Sequence, residues 1–417
     1  MSFMNVEKRE HLGKADFAVK VENARKQAHF HLCSGTAAGF RGVKGWERGR
    51  INTRPMIIYD LSGLPLFYDF PVRRGRIFEG FIRIVANKVL GDPVMCTQVT
   101  SLGWDLLKAR KELQKKIVKK YRGFRLRRLK LVCYSYPKIA LAANLVGSGR
   151  KQQTFMIDVS DFTEIPLVPE KEIKGSGLVP YSLLDNITEK QEKTGADTWE
   201  KINQGMEDVF NKEKKLDLAG LYKLSPEKRL DVIQKVFDKM EIFTFYTEKT
   251  IDFCCHSGTC HDHECFCLHP QENSVHCTRA SSQMVFCYWR YCYSQHDFAQ
   301  AFGVDDDDLT PWSGVASGLN SLTYDCFTAS LNYSPDWADC TTEISNRRPF
   351  LSDNGGHTRA CAGYKQWNIW ISGTPQPRYL YIYDPWPVNV GAISWENYNT
   401  AYYAWIGTLV RKTTNHT

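Results

Sequence analysis

The stretch from Gln271 to Trp289, QENSVHCTRASSQMVFCYW, decides how this chain is read. Ala280, Met284, Val285 and Tyr288 recur at helical spacing and the period begins just after Cys277, which predicts a helix whose first turn carries the thiol. A sulfur there feels the positive end of the helix dipole, which favours thiolate over thiol and makes it a nucleophile near neutral pH. Gln271 stands six residues earlier, on the approach to the helix. Its amide is placed to meet the same point as the Cys277 backbone N–H, where an oxyanion would develop.

A thiol nucleophile needs a base and a group that orients the base. In RPFLSDNGGHTRACAGY, residues 348–364, a turn at Asp353-Asn354-Gly355-Gly356 precedes His357, which opens an alternating strand and is expected to be accessible. In RYLYIYDPWP, residues 378–387, a strand from Tyr379 to Tyr383 ends at Asp384-Pro385, so the Asp384 carboxylate emerges at a strand end. Adjacent antiparallel strands would bring Asp384 to His357. A carboxylate there fixes the tautomer of the imidazole and steadies its charge when it takes the thiol proton. Asn389 is the alternative orienter.

Gln271-x5-Cys277 at a helix start, Gly356-His357 opening a strand and Tyr383-Asp384-Pro385 closing another resemble the papain-like cysteine peptidases. The nearest likeness is to the bacterial branch related to bacteriocin-leader peptidases and plant-pathogen effector proteases. The resemblance covers about residues 250–417 and implies an α+β fold, with one helix bearing Cys and an antiparallel sheet bearing His and Asp. It assigns the nucleophile to Cys277, the base to His357, the orienter to Asp384 and the oxyanion donor to Gln271. YDLSGLPLFYDFPV at 59–72 and GFIRIVANKVLGDPV at 80–94 resemble, more faintly, the cystatin-like propeptides that precede some of these enzymes. That likeness implies a zymogen in which the chain's own N-terminal domain inhibits the site; a permanent accessory domain is the alternative.

Outward from the site, residues 1–50 read as an N-terminal arm in which only HFHLC at 29–33 is strand-like. Residues 51–165 read as an antiparallel-sheet-plus-helix domain. PMIIYD, LFYDFPV and RIFEGFIRIVA are strands separated by turns, and FRLRRLKLVCYSYP is a strand whose alternation slips at Arg127-Arg128 as a bulge would make it. QTFMIDVS is a further strand. Residues 166–248 read as a linker and a helical region, with Ser225 capping SPEKRLDVIQKVFDKM, and 249–417 as the peptidase domain.

The length of 417 residues requires more than one core-sized unit. Of the net +8, the segment 108–130 supplies twelve basic residues against Glu112, yet Leu106, Ala109, Leu113, Ile117 and Tyr121 fall at helical spacing. The basic side chains are then the wet side of an amphipathic helix rather than a nucleic-acid surface. Most of the fourteen cysteines fall after residue 250, densest in FCCHSGTCHDHECFC at 253–267. Cys260, His261, His263, Cys265 and Cys267 are metal-ligand types at irregular spacing, so a metal, a redox pair and plain loop thiols all stay open there. Trp312, Trp337, Trp367, Trp370, Trp386 and Trp395 read as core and cleft walls, and with no phosphate-binding loop in the sequence no cofactor is expected.

No apolar run is long enough to cross a bilayer and the first twenty residues lack a secretory core. The expectation is a soluble, non-membrane protein, cytoplasmic or exported by a signal-independent route, acting on a protein or peptide substrate. Two rival functions remain. The same triad serves acyltransferases, transglutaminases and deamidases, and the Cys/His cluster with the basic helix would suit a zinc- or nucleic-acid-binding module.

Overall fold

The computed structural model describes residues 14–37, 41–43, 45–148, 152–167, 180–212, 244–251, 266–324, 326–369, 376–401 and 403–412, with a few positions between 224 and 235. Residues 1–13 of the N-terminal arm, 168–179 of the linker, most of the 225–240 helix, Trp370 and the cluster positions from 252 to 265 lie outside the described residues.

In chain order the first elements are helix α1 (Val21–Ala37) and strands β1 (Arg50–Ile51), β2 (Met56–Tyr59), β3 (Pro65–Arg74), β4 (Ile77–Val85) and β5 (Val94–Gln98). The expected meander is present, β3 pairing antiparallel with both β2 and β4. HFHLC, however, is helical. Ala24, Ala28 and Leu32 repeat every fourth residue and are buried, and His31 joins them by bonding Thr97 Oγ1 of β5 at 2.7 Å. The apparent alternation of 29–33 is an imidazole buried by tertiary contact, which outweighs local pattern.

Helix α2 (Leu106–Lys120) is capped by the Asp105 carboxylate, which accepts from the Leu107 N–H at 2.7 Å, and it buries Ala109, Leu113 and Ile117 with the lysines outward. Strands β6 (Arg125–Ser135), β7 (Lys138–Val146) and β8 (Gln152–Asp158) form a second antiparallel meander. The β6–β7 register shifts between Leu126 and Arg128, where the sequence pattern slips. Helix α3 (Glu189–Lys212) and strand β9 (Thr244–Thr250) follow, and between them Ser225 Oγ accepts from the Lys228 N–H at 3.3 Å.

The C-terminal part contains helices α4 (Cys277–Tyr288), α5 (Gln295–Phe302) and α6 (Trp312–Leu322), strand β10 (Phe327–Asn332) and helix α7 (Trp337–Ser345). Strands β11 (Phe350–Asp353), β12 (Thr358–Ile369), β13 (Arg378–Asp384), β14 (Ala392–Asn397) and β15 (Trp405–Arg411) complete it. Helix α4 packs on β11 and β12. β12 pairs antiparallel with β11 and β13, so the strand after His357 lies beside the strand ending at Asp384.

The two sheet regions are one. β5 pairs with β4 on one side and β14 on the other, with Thr97 opposite Trp395. The path among the described residues runs β10-β15-β11-β12-β13-β14-β5-β4-β3-β2-β6-β7-β8, all antiparallel except β2 with β6. The fold is thus mixed helix and sheet around one large sheet, and a single apolar cluster runs from Ile58 and Phe70 through Met284 to Trp395. Buried polar bonds tie the regions together: Tyr136 Oη and Arg359 Nη1 both donate to Glu396 Oε2, at 2.8 and 2.7 Å, and Trp386 Nε1 donates to Asp158 Oδ2 at 3.1 Å.

Candidate active site

The loop before α4 is pinned from several sides. Gln271 N–H donates to the Pro385 carbonyl at 3.0 Å, and its own carbonyl accepts from Asn389 N–H at 2.9 Å. Gln295 donates to the Pro270 carbonyl at 2.8 Å and accepts from Glu272 N–H at 3.1 Å. Buried Arg279 gathers the loop of four aspartates by donating to the carbonyls of Asp305, Asp306 and Asp308 at 2.8, 3.0 and 2.7 Å. Cys277 is therefore held as the first residue of α4, and the preceding His276 contributes no side-chain cap. The amide end of the helix is left facing the sulfur.

His357 and Asp384 meet as expected, His357 Nε2 donating to Asp384 Oδ1 at 2.6 Å. That carboxylate oxygen also accepts from Trp386 N–H at 2.9 Å, which fixes its orientation. With Nε2 engaged, Nδ1 is the nitrogen left over; it makes no hydrogen bond in this structure, and the imidazole and the Cys277 thiol shift each other's ionisation. The helix is stapled to the histidine strand one residue further on: Thr278 Oγ1 and Thr358 Oγ1 are 2.8 Å apart, Thr358 Oγ1 donates to Asp353 Oδ2 at 2.7 Å, and Ser281 Oγ donates to the Thr358 carbonyl at 3.0 Å.

Burial by itself would push the Cys277 thiol up. The charge of Lys138, the neighbouring His357 and the Thr358 backbone more than reverse it, bringing the thiol down to about 6. Burial would likewise lower His357, and Lys138 repels its charged form. Asp384, by charge and hydrogen bond, and the Cys277 contact outweigh both, so the imidazole lies above its ordinary value. Both shifts run toward the charged forms, thiolate at Cys277 and imidazolium at His357.

Gln271 is buried in the loop six residues before Cys277, its Nε2 donating to the Asn273 carbonyl at 2.7 Å with a second amide hydrogen remaining, and its Oε1 meets no partner. Asn389 is exposed and bonds Gln271 through its backbone, whereas among the described residues the side chain that bonds the His357 ring is Asp384. The accessibility expected of His357 is not found: it is 0% exposed and Cys277 only 3%. The reason is tertiary. The β6–β7 turn and Tyr181 lie against the histidine turn so closely that a Cβ on Gly356 would stand 2.9 Å from both Ser135 Oγ and the Tyr181 ring. Asn354 Nδ2 donates to the Tyr136 carbonyl at 2.6 Å in the same contact.

Of the metal-ligand types, Cys260, His261, His263 and Cys265 lie outside the described residues, and Cys267 is buried. Among the described residues no three His, Cys, Asp or Glu side chains are grouped as a metal site. No helix among them is long and apolar enough to cross a membrane. Sequence reading missed Lys138, Thr278, Ser281 and Thr358. For Lys138 a signal existed: in SYPKIALAANL it is a lone charge heading an otherwise apolar strand.

No family model matches the chain, and no curated protein matches it. Among solved structures it is similar to a double glycine motif protease from an AMS/PCAT transporter, solved in complex with the leader peptide. The identity is 14%, covering 35% of this chain and 91% of that one, with a TM-score of 0.25. It is also similar to the peptidase domain of Streptococcus ComA, a bi-functional ABC transporter involved in a quorum sensing pathway. There the identity is 15%, covering 35% of this chain and 99% of that one, with a TM-score of 0.26.

Proposed function

We propose that the chain is a papain-like cysteine peptidase that cleaves peptide bonds through a thioester on Cys277. The observation that carries this reading is the His357 ring, with Nε2 on Asp384 at 2.6 Å and Nδ1 uncommitted, together with a helix-start thiol that this ring helps draw down to about 6. In this mechanism the Cys277 thiolate attacks the scissile carbonyl carbon, forming a C–S bond while the carbonyl electron pair moves to oxygen. The free amide hydrogen of Gln271 and the Cys277 N–H meet that oxyanion. Return of the pair breaks the C–N bond as His357 Nδ1 gives its proton to the leaving amine. Water, passing a proton to Nδ1, then cleaves the thioester.

Cys277 and His357 are closed to solvent in this state, so the reading includes an opening step in which the 135–138 turn and Tyr181 draw back from Gly356. We read the N-terminal region as a permanent cover rather than a propeptide lost on activation. The β5–β14 pairing and the Tyr136–Glu396 bond would hold it in place even after a cut in the connecting chain.

The test is incubation with a peptide mixture and with a thiol-directed epoxide, both read by mass spectrometry. Backbone fragments, and an adduct on Cys277 that prevents their formation, are the expected result. Intact peptides with side-chain amides converted to acids would make the protein a deamidase, and fragments formed equally well by Cys277→Ala would end the reading.

A further inference from the structure

Lys138 is the first residue of β7, directly after Tyr136 and Pro137, and only 2% of it reaches solvent. Its ammonium makes one long hydrogen bond, to the Ser274 carbonyl at 3.4 Å, and no carboxylate among the described residues forms an ion pair with it. Taking a cation out of water without a compensating negative charge is strongly unfavourable, so a buried ammonium calls for a counter-ion. Ser274 stands three residues before Cys277, in the loop that launches α4. The backbone that carries Lys138 is fixed, since Tyr136 accepts from Asn354 through its carbonyl and donates to Glu396 through its hydroxyl.

We propose that Lys138 is a positioning residue for the nucleophile: the Cys277 thiolate is the counter-ion of its buried ammonium, and the N-terminal sheet thereby supplies the cation that keeps the sulfur ionised. The inference rests on Cys277 being the nucleophile. It gives the N-terminal region a part in the chemistry, since the site is electrically incomplete without it.

Lys138, Cys277 and His357 share the site with Asp384, which holds the imidazole, and with buried Arg279, which also feels the Cys277 charge; the signs of the first three dictate what Lys138 does to the pH behaviour. Lys138 attracts the thiolate, which lowers the pH at which Cys277 ionises, and repels the imidazolium, which lowers the pH at which His357 loses its proton. Removing the ammonium therefore moves both limbs of a pH profile upward together. A lysine that merely filled space would leave them where they are.

The experiment follows the ultraviolet absorbance of the thiolate against pH in the full chain, taking each protein minus its Cys277→Ala counterpart so that only this sulfur is read. Lys138→Met should raise the Cys277 titration by about one to two pH units. Lys138→Arg should restore it toward wild type. An unmoved titration in folded Lys138→Met overturns the inference while leaving the peptidase reading intact. A raised titration in a protein that cleaves no peptide keeps the Lys138–Cys277 pair and retires the peptidase.

Stability supplies a second readout should Lys138→Met fold poorly. With Cys277→Ala in a double-mutant cycle at pH 8, the methionine should cost stability beside the native cysteine and return part of it beside alanine, where the ammonium has lost its partner. Strict additivity of the two substitutions would count against the pair.

Discussion

Cys277 and Cys133 are buried to the same degree, 3% and 2% exposed, one at the start of α4 and the other inside β6. Their thiols nonetheless move in opposite directions, Cys277 down to about 6 and Cys133 well above its ordinary value. Each has a buried cation nearby, Lys138 for the first and Arg83 for the second. The difference is what that cation is already doing. Arg83 is held by Asp69 in a two-pronged pair, Nε and Nη2 to the two carboxylate oxygens at 2.7 and 2.8 Å, so part of its field at Cys133 and Cys96 is offset, at Cys133 with Asp60 adding to the offset. Lys138 has no such carboxylate among the described residues, and Cys277 has His357 besides. Burial alone makes a thiol inert, and an uncommitted cation makes it reactive.

The largest effect that should separate the two thiols is catalytic. Cys277→Ala is expected to reduce peptide cleavage by at least about 10⁴-fold, whereas Cys133→Ala should leave cleavage within about twofold and cost on the order of 1 kcal/mol in denaturant unfolding. Equal losses in both would erase the distinction.

Asp69→Asn attacks the comparison from the other side by releasing Arg83. It strips a buried guanidinium of its partner and should destabilise the fold by about 3–5 kcal/mol. In protein that still folds, Cys96, now pushed up to about 12 by burial, should titrate lower, since Asp69 raises it and Arg83 lowers it. A Cys96 titration that stays at its high value would mean that pairing does not explain the contrast.

The most gradual effect is in the pH dependence of stability. The folded Cys277 pKa is depressed to about 6 from an ordinary 9.0, so the unfolded chain binds the extra proton between those values. Its contribution is present in full above about 9 and lost as pH falls through about 6, at up to about 1.4 kcal/mol per pH unit. His357, raised in the fold, contributes below its ordinary value and loses that as pH rises through its folded one. The buried thiol of Cys96 adds a loss above 9 as pH rises toward 12. Urea midpoints should therefore climb less from pH 6 to 9 in Cys277→Ser than in wild type, while Cys96→Ser should change only the fall measured above pH 9.

Much of this was legible in the sequence, and for a common reason. The β2 to β4 meander, the amphipathic α2, the slip at Arg127-Arg128 and the helix beginning at Cys277 are all local periodicities, and each is where the pattern puts it. The His357–Asp384 contact was legible because two adjacent antiparallel strands, with Ala360 opposite Tyr383, bring their ends together. What escaped depends on distant partners. HFHLC becomes helix because the sheet buries its face, Lys138 reaches Cys277 from 139 residues away, and the closing of His357 comes from Tyr181 and Ser135. Spacing along a chain says nothing of which loop will lie over which.

The seam between β5 and β14 has a practical consequence for anyone dissecting the molecule. A fragment beginning near residue 249 would carry β14 with the backbone groups that now face β5 bare along its border, and would uncover the indole of Trp395 and the Glu396–Arg359 pair that Tyr136 now completes. An exposed strand border of that kind templates pairing between copies, so the isolated fragment should aggregate rather than yield a minimal enzyme.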